Sequence, residues 1–174
     1  MKRVSSFEFR VSSLRDWRVA LVVAMVMAWQ APAWAGLTLT TDNRSLFFGL
    51  MQLGESKELA QFGSYHNQLT CASTNGLTWY LKVQVLQPLS AGVEAMPAEQ
   101  MEWQAETPEG IGTLQNPNHY TPFSVMPQLV YMSGPSEAGG GTIHLRLKYR
   151  LTIPEEQVSG AYQATVRFTL TEVL

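Results

Sequence analysis

The 174-residue chain contains one cysteine, Cys71, which excludes an internal disulfide framework and a four-cysteine zinc site. Charge is sparse: Asp, Glu, Lys and Arg make up 15% of residues, and the formal net charge of −2 leaves no basic excess to hold a nucleic acid. Asp42 is the one aspartate beyond residue 35, and there is no G-x-S-x-G elbow, so the sequence does not supply the parts of a nucleophile–base–carboxylate triad. His66, His119 and His144 are scattered without ligand spacing, and no metal or cofactor is expected. Between Lys82 and Arg146 there is neither lysine nor arginine. No apolar run reaches the roughly 20 residues of a membrane-spanning helix. Helical periodicity is also scarce. Only Glu55 to Phe62, bracketed by Gly54 and Gly63, has room for two turns.

The first 35 residues have a pattern of their own. Lys2, Arg3, Arg10, Arg15 and Arg18 outweigh Glu8 and Asp16, and an uncharged stretch follows from Val19 to Trp29. Gln30 and Pro32 break it, and Ala33-Trp34-Ala35 places small residues where a signal peptidase reads. A basic start, a short apolar middle and an A-x-A end mark a cleaved secretory signal. The expected organisation is a signal peptide over residues 1–35 and one domain over 36–174. The mature chain is then exported, to the periplasm, the cell surface or the medium, with no membrane span after cleavage. Cys71, the lone thiol of an exported chain, is expected to be a small buried hydrophobe.

Beyond the leader, period-two alternation dominates. Ile143, Leu145, Leu147, Tyr149, Leu151 and Ile153 point one way and Thr142, His144, Arg146, Lys148, Arg150 and Thr152 the other, as in a strand with one face on a core and one in water. Tyr162, Ala164, Val166, Phe168 and Leu170 repeat the pattern, as do Leu77, Trp79, Leu81, Val83 and Val85. Leu37 and Leu39 begin a short strand, and Met101, Trp103 and Ala105 line another. Gln68–Ser73 is expected to pair with the Leu77 strand across Asn75-Gly76, a favoured hairpin turn. Prolines 88, 97, 108, 117, 122 and 127 confine much of the middle to loops and edge strands. The stretch from Ser136 through Gly141 reads as a flexible turn. Short strands between Gly, Pro and Asn turns predict an all-β sandwich or barrel. The expected core contains Trp79, Leu81, Val83, Leu145, Leu147, Tyr149, Val166 and Phe168.

Three patterns carry a family resemblance. Phe48-Gly49, Gly54-Glu55-Ser56-Lys57, Leu69 to Ser73 and Trp79-Tyr80-Leu81-Lys82-Val83 are similar to a run in secreted bacterial β-sandwiches of the WxL and fimbrial types. The second is Tyr149 to Pro154. The third, Gly160 to Leu170, resembles the terminal strand of spore-coat-U-like and chaperone–usher fimbrial subunits. The resemblance implies a single immunoglobulin-like antiparallel β-sandwich outside the cytoplasm and brings no catalytic residues. It also implies that the strand from Ala161 to Leu170 is the penultimate one, leaving a groove for an added strand. Gly36–Thr41 is then either a donor for another copy or a strand of its own sheet. Tyr162, at the start of the last strand, is placed to return its hydroxyl to the preceding loop as a tyrosine corner.

The sharpest charge feature is a contrast. Glu94, Glu99, Glu102, Glu106, Glu109 and Glu137 occupy a stretch without cations, whereas Arg146, Lys148 and Arg150 share a strand face and Arg167 follows on the last strand. A two-sided molecule is expected. The basic residues then serve either to protect strand edges or, with the loop residue Tyr120, to contact partner subunits or an anionic cell-surface polymer. The functional expectation is a non-enzymatic surface, coat or fimbria-like structural subunit, open to homo-oligomerisation. The alternative is a carbohydrate- or polymer-binding module, for which Trp79, Trp103, Tyr120 and Tyr131 are the candidate stacking rings.

Overall fold

Each alternating segment becomes a strand, and the strands form two antiparallel sheets of six. A computed structural model describes residues 36–44, 46–60, 65–91, 94–107 and 110–174. The expected signal peptide and its cleavage point lie outside these residues. In the first sheet the order is β1 (Leu37–Thr41), β4 (Asn67–Ser73), β11 (Ile143–Thr152), β7 (Met101–Glu106) and β9 (Thr121–Pro122), with β3 (Ser56–Leu59) also paired to β11. In the second it is β2 (Phe47–Met51), β12 (Gly160–Thr171), β5 (Tyr80–Ala91), β10 (Gln128–Met132) and β8 (Thr113–Leu114), with β6 (Glu94–Met96) paired to β5. One helical turn, α1 (Pro135–Ala138), precedes β11. Among the described residues no helix is long and apolar enough to cross a membrane.

The inward residues of both sheets share one core. Trp79, Leu81, Val83, Leu145, Leu147 and Tyr149 are buried as expected, together with Trp103, Phe123 and Tyr131. Each fully buried aliphatic or aromatic side chain contributes about 1.5–3 kcal/mol through the water it sheds. Cys71 is among them, and burial pushes its thiol up to about 12. Val166 and Phe168 depart from the expectation, for they are only half-buried.

Three local expectations are corrected. Asn75-Gly76 makes no hairpin: β4 lies in the first sheet and β5 in the second. Both edges of β4 are already taken, by β1 and β11, so the chain must leave the sheet. Gly76, at φ 73°, supplies the left-handed residue of that crossing instead. Leu77 is consequently exposed. The segment expected to be helical from Glu55 contains β3, since β11 runs beyond the end of β4 and its open ladder takes Ser56–Leu59 as partner. Weak local propensity yields there to backbone pairing and to Glu58 lying opposite Arg150. The glycine-rich turn is α1, whose Glu137 is buried at 3% exposure. Leu37–Thr41 is a strand of its own sheet, paired with β4 from Leu37↔Ser73 to Thr41↔Leu69.

Candidate functional site

The half-burial of Val166 and Phe168 marks a groove. β5 pairs with one edge of β12 from Gln163 to Thr171. On the other edge β2 covers only Gly160–Gln163. From Ala164 onward that edge has no strand partner among the described residues. Among the described residues β1 is likewise paired on one side only, with β4. Between them lies a cavity of about 370 Å³ lined by Leu39, Leu46, Leu69, Ala164, Val166 and Phe168. Cα atoms of β1 and β12 come within 8 Å of one another, nearer than the roughly 10 Å of stacked sheets.

Polar residues gather at one end of the groove, where the chain passes from β1 in one sheet to β2 in the other. Asn43, Arg44, His66 and Asn67 line it there. Asn43 Nδ2 lies 3.2 Å from His66 Nε2, and the Asn67 amide donates to Thr41 Oγ1 and to the Asn43 carbonyl. Asn67 Oδ1 accepts from the Tyr149 hydroxyl at 2.9 Å, and Asp42 accepts from the Gln68 N–H at 2.7 Å. Complete burial raises the Tyr149 phenol well above its ordinary range. These bonds fix the crossing.

The other strand edges differ from this pair. Native sheets blunt edges with proline, charge, shortness or distortion. β8 and β9 have two residues each, and β9 contains Pro122. β3 presents Lys57 and Glu58. β2 carries Gly49 at φ 76°, and the Lys57 ammonium donates to its Phe48 carbonyl. β1, Leu-Thr-Leu-Thr-Thr, has none of these devices, and the open part of β12 has only Arg167.

The sequence-derived contact residues divide between the sheets. Arg146, Lys148 and Arg150 share the outer face of β11, with Tyr120 beside them. Arg167 lies on the other sheet, exposed. The basic strand is not an uncompensated positive face, because Glu102 and Glu106 of the acidic stretch pair with it. Arg146 stands opposite Glu106 and Arg150 opposite Glu102 in the β7–β11 register. Ion pairs follow at 3.9 Å for Arg146–Glu106, 3.8 Å for Lys148–Glu58 and 2.7 Å for Arg150–Glu102. The Tyr120 hydroxyl donates to Glu58, and Arg150 lies 4.1 Å from the centre of its ring. Burial, then the bond to Glu58, raises the Tyr120 phenol. The bond to Glu102 raises the Arg150 guanidinium. Trp79, Trp103 and Tyr131 are buried, so these rings offer no sugar-stacking surface.

Glu137 is a site the sequence reading missed. Its carboxylate accepts from the Ile111 N–H at 2.8 Å, the Gly134 N–H at 2.7 Å and the Tyr131 hydroxyl at 2.7 Å. Tyr131 in turn accepts from the Gly112 N–H at 2.8 Å. Gly112 must be glycine, since a Cβ there would meet the Met132 carbonyl oxygen at 2.2 Å. Pro135 at the first helical position, with Glu two residues later reaching back to the first turn, is the local signal. The cluster anchors a loop to the core. Among the described residues, no group of three or more His, Cys, Asp or Glu could hold a metal ion. No family model, curated protein or solved structure matches the chain.

Proposed function

We propose that the chain is an exported, non-enzymatic, immunoglobulin-like β-sandwich, a structural subunit of a surface, coat or fimbria-like assembly that accepts a strand along the open edge of β12. The observation that carries this reading is the edge of β12 from Ala164 onward, without a strand partner among the described residues and guarded only by Arg167, beside a cavity lined in part by Leu39, Val166 and Phe168.

The strand order supports the architecture. An immunoglobulin-type sandwich has strands A-B-E-D in one sheet and C-F-G in the other. The run β1-β4-β11-β7 corresponds to A-B-E-D, and β5-β12 to C-F. The Tyr162 hydroxyl donates to the Val158 carbonyl, as a tyrosine corner does at the start of strand F. In this correspondence, the position of strand G is the open edge from Ala164 to Thr171. Because β1 is engaged with its own β4, the added strand comes from elsewhere. Export rests on the pattern of the first 35 residues, and the mass of the secreted protein checks it: a chain beginning at Gly36 is expected, and an intact leader contradicts export by cleavage.

Size-exclusion chromatography with light scattering tests the assembly. Wild-type protein mixed with an extended peptide of alternating apolar and polar residues is expected to form a complex that Val166→Lys abolishes and the outward-facing Thr169→Lys preserves. Wild-type protein that takes up no such peptide at any concentration overturns the reading.

A further inference from the structure

We infer that the groove is specific for the C-terminal end of an extended chain, seated with its carboxylate at Arg44. This rests on the groove being a strand acceptor and adds direction and chemistry to it. β2 pairs with β12 up to Gln163, through Phe47. A strand laid along the open edge therefore meets β2 at Ala164 and can continue no further. A chain terminus fits that stop without a turn, whereas a segment that continued would have to bend sharply away.

Arg44 decides which terminus. It lies three residues before Phe47, which pairs with Gln163, and it lines the cavity that Ala164 also lines. Its guanidinium is always charged and presents a planar fork that matches a carboxylate. Of the other cations near the sheets, Arg146, Lys148 and Arg150 are engaged with glutamates, Lys57 with the Phe48 carbonyl and Lys82 with the Val173 carbonyl, while Arg167 is exposed and does not line the cavity. Arg44 makes no ion pair among the described residues. A carboxylate end is attracted there and an ammonium end repelled. The occupant then runs from the Leu170 end toward Ala164, antiparallel to β12, with alternate apolar side chains entering between Leu39, Val166 and Phe168.

The test uses two fluorescent eight-residue peptides, Ser-Leu-Thr-Val-Thr-Val-Ser-Leu, both acylated at the N-terminus, one with a free carboxylate and one with a carboxamide. Their binding to the purified protein is read by fluorescence anisotropy. The carboxylate form is expected to bind about three- to tenfold more tightly, as a charge-assisted pair warrants. Arg44→Gln, a change at an exposed side chain, is expected to erase that difference while leaving the amide form unaffected. Equal binding of both peptides, lost in Val166→Lys, keeps the strand groove and overturns the recognition of a C-terminus. Binding of neither peptide to wild-type protein overturns both.

Discussion

β11 and β12 alternate equally strictly in sequence, yet they end in different states. Ile143, Leu145, Leu147, Tyr149 and Leu151 of β11 are at most 2% exposed, whereas Ala164, Val166, Phe168 and Leu170 of β12 are half-buried. The difference lies in the neighbours. β11 has β4 and β3 on one edge and β7 on the other. β12 has β5 along one edge and only a short stretch of β2 on the other. Alternation reports which face a side chain takes. How completely it is covered depends on the strand beside it.

Truncation on the two strands should therefore have unequal effects. Leu147→Ala is expected to cost about 2–5 kcal/mol, as for a fully buried leucine. Phe168→Ala removes a larger side chain but is expected to cost less than Leu147→Ala in the isolated monomer, because part of the ring is already in water. Urea denaturation of both variants checks this, and a larger loss for Phe168→Ala breaks the comparison.

On the closed side, Glu137→Ala leaves two backbone N–H groups and the Tyr131 hydroxyl without their acceptor, and is expected to cost on the order of 3 kcal/mol in the same assay. A loss below about 1 kcal/mol would mean that the loop is free to relax into water.

Cys71 lies on β4, between β1 and β11, and shows how far the sealed core extends toward the open edge. Its folded pKa is raised from 9.0 to about 12 by burial. The folded thiol therefore holds its proton at pH values where the unfolded one loses it. Its stabilising share is complete below pH 9 and declines as pH rises through about 12. A fall of about 1 kcal/mol between pH 9 and pH 10 is expected from this group. Cys71→Ala should remove that share of the fall, as chemical denaturation at the two pH values would show. An unchanged pH profile would place water at the thiol.

The smallest effects belong to the outer face of β11. Arg150→Ala is expected to cost under about 1 kcal/mol and Lys148→Ala under about 0.5 kcal/mol, since both pairs are partly exposed. A larger loss at Lys148 would mean that this face is covered.

Residue order made much of this fold legible. The inward sets of β5, β7 and β11 follow from period-two alternation, and the Tyr162 corner from its place after a short loop. Pairing was less legible. Asn75-Gly76 supplies the same positive φ whether it joins paired strands or carries the chain between sheets, and the occupied edges of β4 decided the matter. Arg146 and Glu106 are far apart in sequence, so the neutralised face emerged only from the β7–β11 register. The groove was equally hidden, because Val166 and Phe168 have the same pattern as core residues. Arg44 carried no local signal, as its place follows from where β2 meets β12.

Native-state hydrogen exchange of the monomeric protein tests the open edge most directly. Slow exchange is expected throughout Ile143–Thr152 and, between Ala164 and Thr171, alternation of slow amides bonded to β5 with fast amides on the opposite edge. The fast set is also expected to slow when the free-carboxylate peptide is bound. Uniform protection of Ala164–Thr171 in the monomer, equal to that of β11, would contradict it.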